Sequence, residues 1–211
     1  MLTDFQTTVA QLFFTLPASD GFLLAGGAAL IAQQLTTRPT RDLDLFTSRG
    51  KSTVPDARDQ FEDAADTRGW TVDRIHDTDT FCRMLVHGPE DLLIDLALDS
   101  PPGMPATASI AGPTFAPDEL AGRKLVALFD RAEARDFADV HSLTTRYDKS
   151  TLLTLAADVD TGFDHQILAT MIDSLQRFTD DDIPVDADNV ANLRLFFATW
   201  AQELRDDPAN P

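Results

Sequence analysis

The sequence predicts an α/β domain with a mixed sheet over residues 1–115, followed by an all-helical domain over 116–211. Three observations predict it. Strand-like and helix-like segments alternate up to about residue 98, and a proline- and glycine-rich stretch from Pro101 to Pro117 interrupts that pattern. Beyond it, the apolar residues recur at helical spacing to the end.

The elements follow in order. Residues 4–16 place Phe5, Val9, Leu12, Phe13 and Leu16 on one helical face, and Pro17 with Ser19-Asp20-Gly21 closes that helix. A short apolar strand at 22–25 runs into Gly26-Gly27 and then a helix over 28–35, composed mostly of strong helix formers. After a polar loop at 36–40, Leu43 to Phe46 alternates acid with apolar residues as a strand does. A helix from Pro55 to Arg68 stops at Gly69, and 70–77, 80–87 and 91–98 read as three successive strands, a meander. The stretch that follows has room only for short extended pieces, and Pro117-Asp118-Glu119 opens a helix. Further helices are expected over 118–133, 136–146, 150–158, 164–177 and 189–205.

Composition excludes several classes of function. No apolar run reaches the roughly 20 residues that span a bilayer, and Met1 to Asp20 lacks the basic start of a secretory signal. The cytoplasm is the expected setting, with no membrane partner. The single cysteine, Cys82, lies in an apolar run, which excludes a disulfide framework and a cysteine zinc site and reads as a buried, inert thiol. His76, His87, His141 and His165 are too scattered for a metal cluster or a catalytic triad. Trp70 and Trp200 read as core residues. The net charge of −18 argues against broad, nonspecific phosphate binding. After Tyr147 thirteen acids face four bases, so the first 147 residues still have room for a local basic cleft. An acidic exterior equally suits high solubility or a basic protein partner.

The chemistry concentrates in Leu24-Ala25-Gly26-Gly27-Ala28 and Thr40-Arg41-Asp42-Leu43-Asp44-Leu45. Acids two apart on a strand point to the same side, so Asp42 and Asp44 are placed to share one or two Mg2+ or Mn2+ ions. Paired ions roughly 4 Å apart activate an attacking hydroxyl and stabilise a leaving pyrophosphate. Glycines at 26 and 27 let a triphosphate approach the backbone N–H groups of the following helix. Asp95, inside the Leu93-Ile94-Asp95-Leu96 strand, is costly to desolvate alone and should face a metal, a base or solvent. Each piece also has a structural reading: Asp-Leu-Asp as a solvated strand edge, Gly-Gly as a turn, and Asp95 in a strand-end salt bridge. The ordered combination favours chemistry.

Downstream, one helix over 119–135 would hold Arg131 and Arg135 each within about 20° of Lys124, beside Leu125, Leu128 and Ala132. That is a basic rail fit to neutralise a triphosphate. Lysine is rare in this chain, three against fourteen arginines, so Lys124 is not a habitual way of placing charge. The structural alternative is an exposed face paired with Glu119, Asp130 and Glu133 by surface salt bridges. Asp136 and Asp139, one turn apart, are placed to orient Lys124 or Arg135, or simply to begin a helix.

Gly-Gly, then Asp-x-Asp, then a third acid on a nearby strand resembles the polymerase-β-like nucleotidyltransferases. A closer resemblance covers most of the chain. The Gly-Gly-Ala helix start, Thr40 to Phe46, the Leu-Ile-Asp-Leu strand, and Arg123 to Leu128 with Arg131, Arg135-Asp136 and Asp139 look like the AbiEii toxin family, which includes the MenT toxins. The resemblance implies transfer of a nucleoside monophosphate from a nucleoside triphosphate (NTP) to an acceptor hydroxyl, with the 3′ end of tRNA as the expected acceptor and a block of translation as the result. It implies Asp42, Asp44 and Asp95 as metal ligands, with Asp95 also aiding deprotonation of the nucleophile. Gly26, Gly27, Lys124 and Arg135 would bind the triphosphate, and Thr40 and Arg41 would line the pocket. Lys124 and Asp136 match positions that the family needs for activity. A cognate antitoxin is also implied, which in some relatives modifies the residue that Thr40 matches. Two alternatives stay open: nucleotidylation of a protein or of a small molecule such as an antibiotic, and a catalytically inactive binding module. Retention of all three carboxylates and Lys124 argues against the second.

Overall fold

Three helices and seven strands make up most of residues 1–120 of the computed structural model, which describes residues 1–206. They are α1 (Asp4–Phe13), β1 (Leu23–Ala25), α2 (Gly26–Ala32), β2 (Asp42–Thr47), α3 (Val54–Thr67), β3 (Thr71–Asp77), β4 (Phe81–His87), β5 (Asp91–Leu98), β6 (Thr107–Ser109) and β7 (Gly112–Thr114). The seven strands form one mixed sheet in the order β3-β4-β5-β2-β1-β7-β6. β2 runs parallel to β5 and β1 parallel to β7; the other neighbours are antiparallel. The meander read from the sequence is the β3-β4-β5 half of this sheet.

Period-two alternation gives the sheet two unlike faces. Leu43 and Leu45 of β2, Ile94 and Leu96 of β5, and Cys82, Met84 and Val86 of β4 are all fully buried. The buried thiol of Cys82 has its pKa pushed up to about 11 by desolvation, as an inert core cysteine should. α1 starts at a Thr3–Gln6 capping box and ends at Phe13, whose ring lies 5.2 Å from Phe22 and 6.3 Å from Phe61 of α3. Thr53 caps α3, where Pro55 fits because the first turn has no N–H partner to lose. Trp70 packs edge-on against Phe5 at 5.0 Å.

The two sheet edges differ. β6 has three residues, while β3 carries a bulge between Arg74 and His76 that leaves Ile75 more than half exposed. Arg74 holds Glu62 of α3 at 2.6 Å and Asp77 at 2.9 Å, which sets the edge in a web of charge.

α4 (Pro117–Asp130) crosses the division between the two units of the chain, which falls between Leu120 and Ala121. The second unit continues with α5 (Ala134–Leu143), α6 (Lys149–Val159), α7 (His165–Asp173) and α8 (Ala187–Asp206). Phe137 of α5 meets Phe197 of α8 edge-on at 5.0 Å, with Trp200 stacked beside Phe197. Among the described residues no helix is long and apolar enough to cross a membrane.

The continuous helix expected over 119–135 does not form. α4 stops at Asp130, Ala132 takes a left-handed φ of 47°, and Glu133 caps α5 through a reciprocal box with Asp136. Left-handed backbone ends a helix by turning its last carbonyls to other donors. Here Arg177 supplies one, its Nη2 donating to the carbonyls of Arg131 at 3.1 Å and Ala132 at 2.5 Å.

Phe13→Ala should destabilise the protein by about 3–5 kcal/mol, the cost of removing a buried ring from among other aromatics. Urea unfolding followed by Trp70 fluorescence in a Trp200→Phe background measures it; a loss below about 1 kcal/mol would show that the cluster is not the centre of the first unit's core.

Candidate active site

Burial of Leu43 and Leu45 turns Asp42 and Asp44 to the opposite, half-buried face of the sheet. Parallel register places Asp44 directly across from Asp95, and antiparallel register places Ala25 across from Asp44 on the other side. The three acids expected to work together therefore share one face of adjacent strands. The Thr40 hydroxyl donates to Asp42 Oδ1 at 2.6 Å, and Thr40 is itself held by Gln6, whose Nε2 donates to the Thr40 carbonyl at 2.9 Å. Gln6 is buried and its amide oxygen accepts from Thr3 N, so α1 fixes the loop that positions Asp42.

The glycine pair belongs to the same place. Gly26 has a φ of 59°, and a Cβ there would lie 1.7 Å from Asp44 Oδ2. Only glycine lets α2 begin against that carboxylate. A Cβ at Gly27 would lie 2.9 Å from Thr40 Oγ1 and 3.2 Å from an Arg38 guanidinium nitrogen. Arg41 is exposed at the start of β2.

Asp95 takes the salt-bridge alternative. Arg83 on β4, its cross-strand partner, grips it with both arms, Nε to Oδ1 at 2.8 Å and Nη2 to Oδ2 at 2.6 Å. That hydrogen bond first, and then the charges of Asp95, Asp44 and Asp42, raise the Arg83 pKa against the opposing effect of burial. Among the described residues no three acid, histidine or cysteine side chains are arranged as a ready metal cage. Asp42 and Asp44 still fit one: both are oxygen donors on one face, packed against a glycine-opened backbone. Magnesium customarily takes one or two carboxylates and completes its shell with water and substrate phosphates.

In the second unit, Lys124 of α4 is buried at 7% exposure, its Nζ 3.3 Å from Asp136 Oδ1 and 3.1 Å from Asp139 Oδ2. Both acids are fully buried, and Arg131 adds Nε to Asp136 Oδ2 at 2.9 Å and Nη2 to Oδ1 at 3.1 Å. The set sums to zero charge, two cations against two carboxylates. Burial alone would raise the Asp136 pKa, yet the Arg131 hydrogen bonds and the Lys124 and Arg131 charges outweigh it and hold the carboxyl below its ordinary value. Arg135 Nε lies 2.8 Å from Glu133 Oε2 at the α5 start. The expected basic rail is therefore replaced by a buried cluster across the α4–α5 corner, because the chain leaves its helix at Ala132.

Sequence reading missed Arg83 and Gln6. Arg83 had a signal: strands joined by a Gly88-Pro89-Glu90 turn pair His87 with Asp91, and counting back four residues on each side pairs Arg83 with Asp95. Gln6 had none, since its partner lies 34 residues away.

A mixed sheet with paired acids beside a glycine-opened helix defines the class: this is a nucleotidyltransferase fold. Residues 10–208 match the family described as nucleotidyl transferase AbiEii toxin of type IV toxin–antitoxin systems, and the chain belongs to that family. No curated protein matches the sequence. Similar solved structures include JHP933 from Helicobacter pylori, 18% identical, with a TM-score of 0.59 over 97% of this chain and 95% of that one. MenT4, a nucleotidyltransferase toxin from Mycobacterium tuberculosis, is 16% identical, with a TM-score of 0.56 over 99% and 95%. The antibiotic-resistance factor ANT(2'')-Ia is 14% identical, with a TM-score of 0.50 over 74% and 92%. At these identities the likeness is one of fold.

Gly26→Ala should cost activity far more than stability, because the new methyl group displaces Asp44; nucleotide transfer and melting temperature measured together test this, and full activity would show that Asp44 need not stay where it is. Lys124→Ala should destabilise by about 3–5 kcal/mol, since it leaves Asp136 and Asp139 buried with too little positive charge. A depressed Asp136 pKa adds stability above the unfolded-state value of about 3.9 that is lost as pH falls through the lower folded-state pKa. Stability should therefore decline as pH drops below about 4, and Asp136→Asn should flatten that part of the profile in acid titrations followed by circular dichroism.

Proposed function

We propose that this toxin-family nucleotidyltransferase moves a nucleoside monophosphate from an NTP to the 3′ end of tRNA, using Mg2+ or Mn2+ held by Asp42 and Asp44. The observation that carries the reading is the pair of β2 carboxylates on one face of the sheet, with Gly26 lacking the Cβ that would collide with Asp44. Bound there, the divalent ion neutralises the triphosphate and makes the acceptor hydroxyl easier to ionise.

The chain's own residues supply positioning. Thr40 fixes the Asp42 carboxylate, and Gln6 fixes Thr40. Asp95 completes the negative set while both its oxygens rest on Arg83. Gly26 and Gly27 bring first-turn amides of α2, which lack helical partners, to the triphosphate. Arg41, exposed beside Thr40, lines the nucleotide pocket. In the second unit Lys124 holds the buried carboxylates of Asp136 and Asp139 together. With a net charge of −18, the contacts to tRNA are local and led by Arg38 and Arg41 rather than by a broad basic surface. The cytoplasm, where tRNA and NTPs occur, is the setting.

Membership of a type IV toxin–antitoxin family implies a cognate antitoxin. A second reading has two observations behind it. The acidic charge and the fold shared with an antibiotic-resistance factor favour a cationic small-molecule acceptor.

Incubation of the purified protein with total tRNA, magnesium and each labelled NTP in turn tests the first reading. Label should appear on tRNA with the native protein and be absent with Asp42→Asn, which keeps side-chain shape and the melting temperature but removes the ligand charge. Activity near the native level in Asp42→Asn would remove the metal assignment, and absence of label on tRNA would shift the acceptor to a small molecule or protein.

A further inference from the structure

The proposed metal reading treats the acids on the sheet face as ligands, and one of them, Asp95, is gripped by an arginine. Asp95 is nearly buried, and both of its oxygens are engaged by a single guanidinium in the fork-to-fork geometry that makes arginine–carboxylate pairs strong. Arg83 is not similarly enclosed. Its side chain is 46% exposed, so it can swing away while Asp95 stays in place. Its guanidinium also feels Asp44 and Asp42, so a positive charge already stands among the three carboxylates. Asp44 lies directly across the β2–β5 ladder from Asp95 and Arg83 directly across the β5–β4 ladder, so the order along the face is Asp44, Asp95, Arg83.

From this we infer that Arg83 is a positioning residue that competes with the divalent cation for Asp95 and thereby sets the metal affinity of the carboxylate set. The inference rests on the metal reading of Asp42 and Asp44. With Arg83 in place, a cation arriving without nucleotide meets two carboxylates and a nearby positive charge. Without Arg83 the same cation meets a third carboxylate and one positive charge fewer. Native Arg83 thus keeps the resting site weak for free metal, and Asp95 belongs to the arginine until something draws the guanidinium away.

Manganese titration of the nucleotide-free protein, read by the electron paramagnetic resonance of free Mn2+, tests this without any activity measurement. Arg83→Met, close to isosteric and uncharged, should bind Mn2+ about tenfold or more tighter than the native protein. Arg83→Lys keeps the charge but not the two-armed grip and should fall between them, which preserves the test if the methionine variant folds poorly. Asp95→Asn should change native affinity by less than about threefold but weaken the Arg83→Met protein by about tenfold, a coupling that a merely structural arginine would not produce. Equal Mn2+ affinity in the native and Arg83→Met proteins, or weaker binding in the variant, would overturn the inference while leaving Asp42 and Asp44 as metal ligands. No Mn2+ binding by either protein, alone or with an NTP, would overturn the metal reading and the inference together.

Discussion

The structure depends on burial of one face of the β2–β5 ladder. Leu43, Leu45, Ile94 and Leu96 are all withdrawn from water, and because side chains alternate along a strand, that burial sends Asp42, Asp44 and Asp95 to the other face. A one-residue slip of either strand would drive its carboxylates into the apolar core, where an unpaired charge costs several kcal/mol. Core packing and site geometry are therefore one constraint. The hydrophobic side of the sheet sets the register, and the register sets which acids are neighbours.

In the second unit polar burial takes the place of alternation. The α4–α5 corner turns on Ala132, and the charges beneath it, Lys124 and Arg131 against Asp136 and Asp139, balance to zero. Such a cluster ties two helices in one orientation, because each carboxylate has a partner only while the corner keeps its shape. Arg177 adds to this by closing the carbonyls that the corner leaves open. Helix α5 is thus positioned by charge at its start and by the Phe137–Phe197 contact further along.

Most of the fold was legible because it is written in local periodicity. The alternation of Leu43 to Phe46, the meander after Gly69 and the proline-rich interruption near residue 101 all mark elements within their own segments. The strand order was not legible, since pairing β1 between β2 and β7 depends on packing between distant segments. At the site, Gly26, Asp42, Asp44 and Asp95 were found from spacing, and the structure brings them together on adjacent strands. The rail of Lys124, Arg131 and Arg135 failed for a physical reason: helical spacing extrapolated through Ala132 assumes a backbone conformation that the chain abandons there. Even so, Asp136 and Asp139 hold Lys124, one of the roles their spacing suggested.

The bulged, charged edge at β3 bears on how such a chain survives its own synthesis. An exposed sheet edge is a template on which other strands polymerise, and a seven-stranded sheet that does not close has two of them. One is only three residues long, and the other is thrown out of register at Ile75 and flanked by Asp73, Arg74 and Asp77, so neither presents a flat run of free backbone to a second molecule. Crowded on the ribosome or expressed in excess, the protein is thereby steered away from fibrils, leaving its surface for recognition rather than self-association.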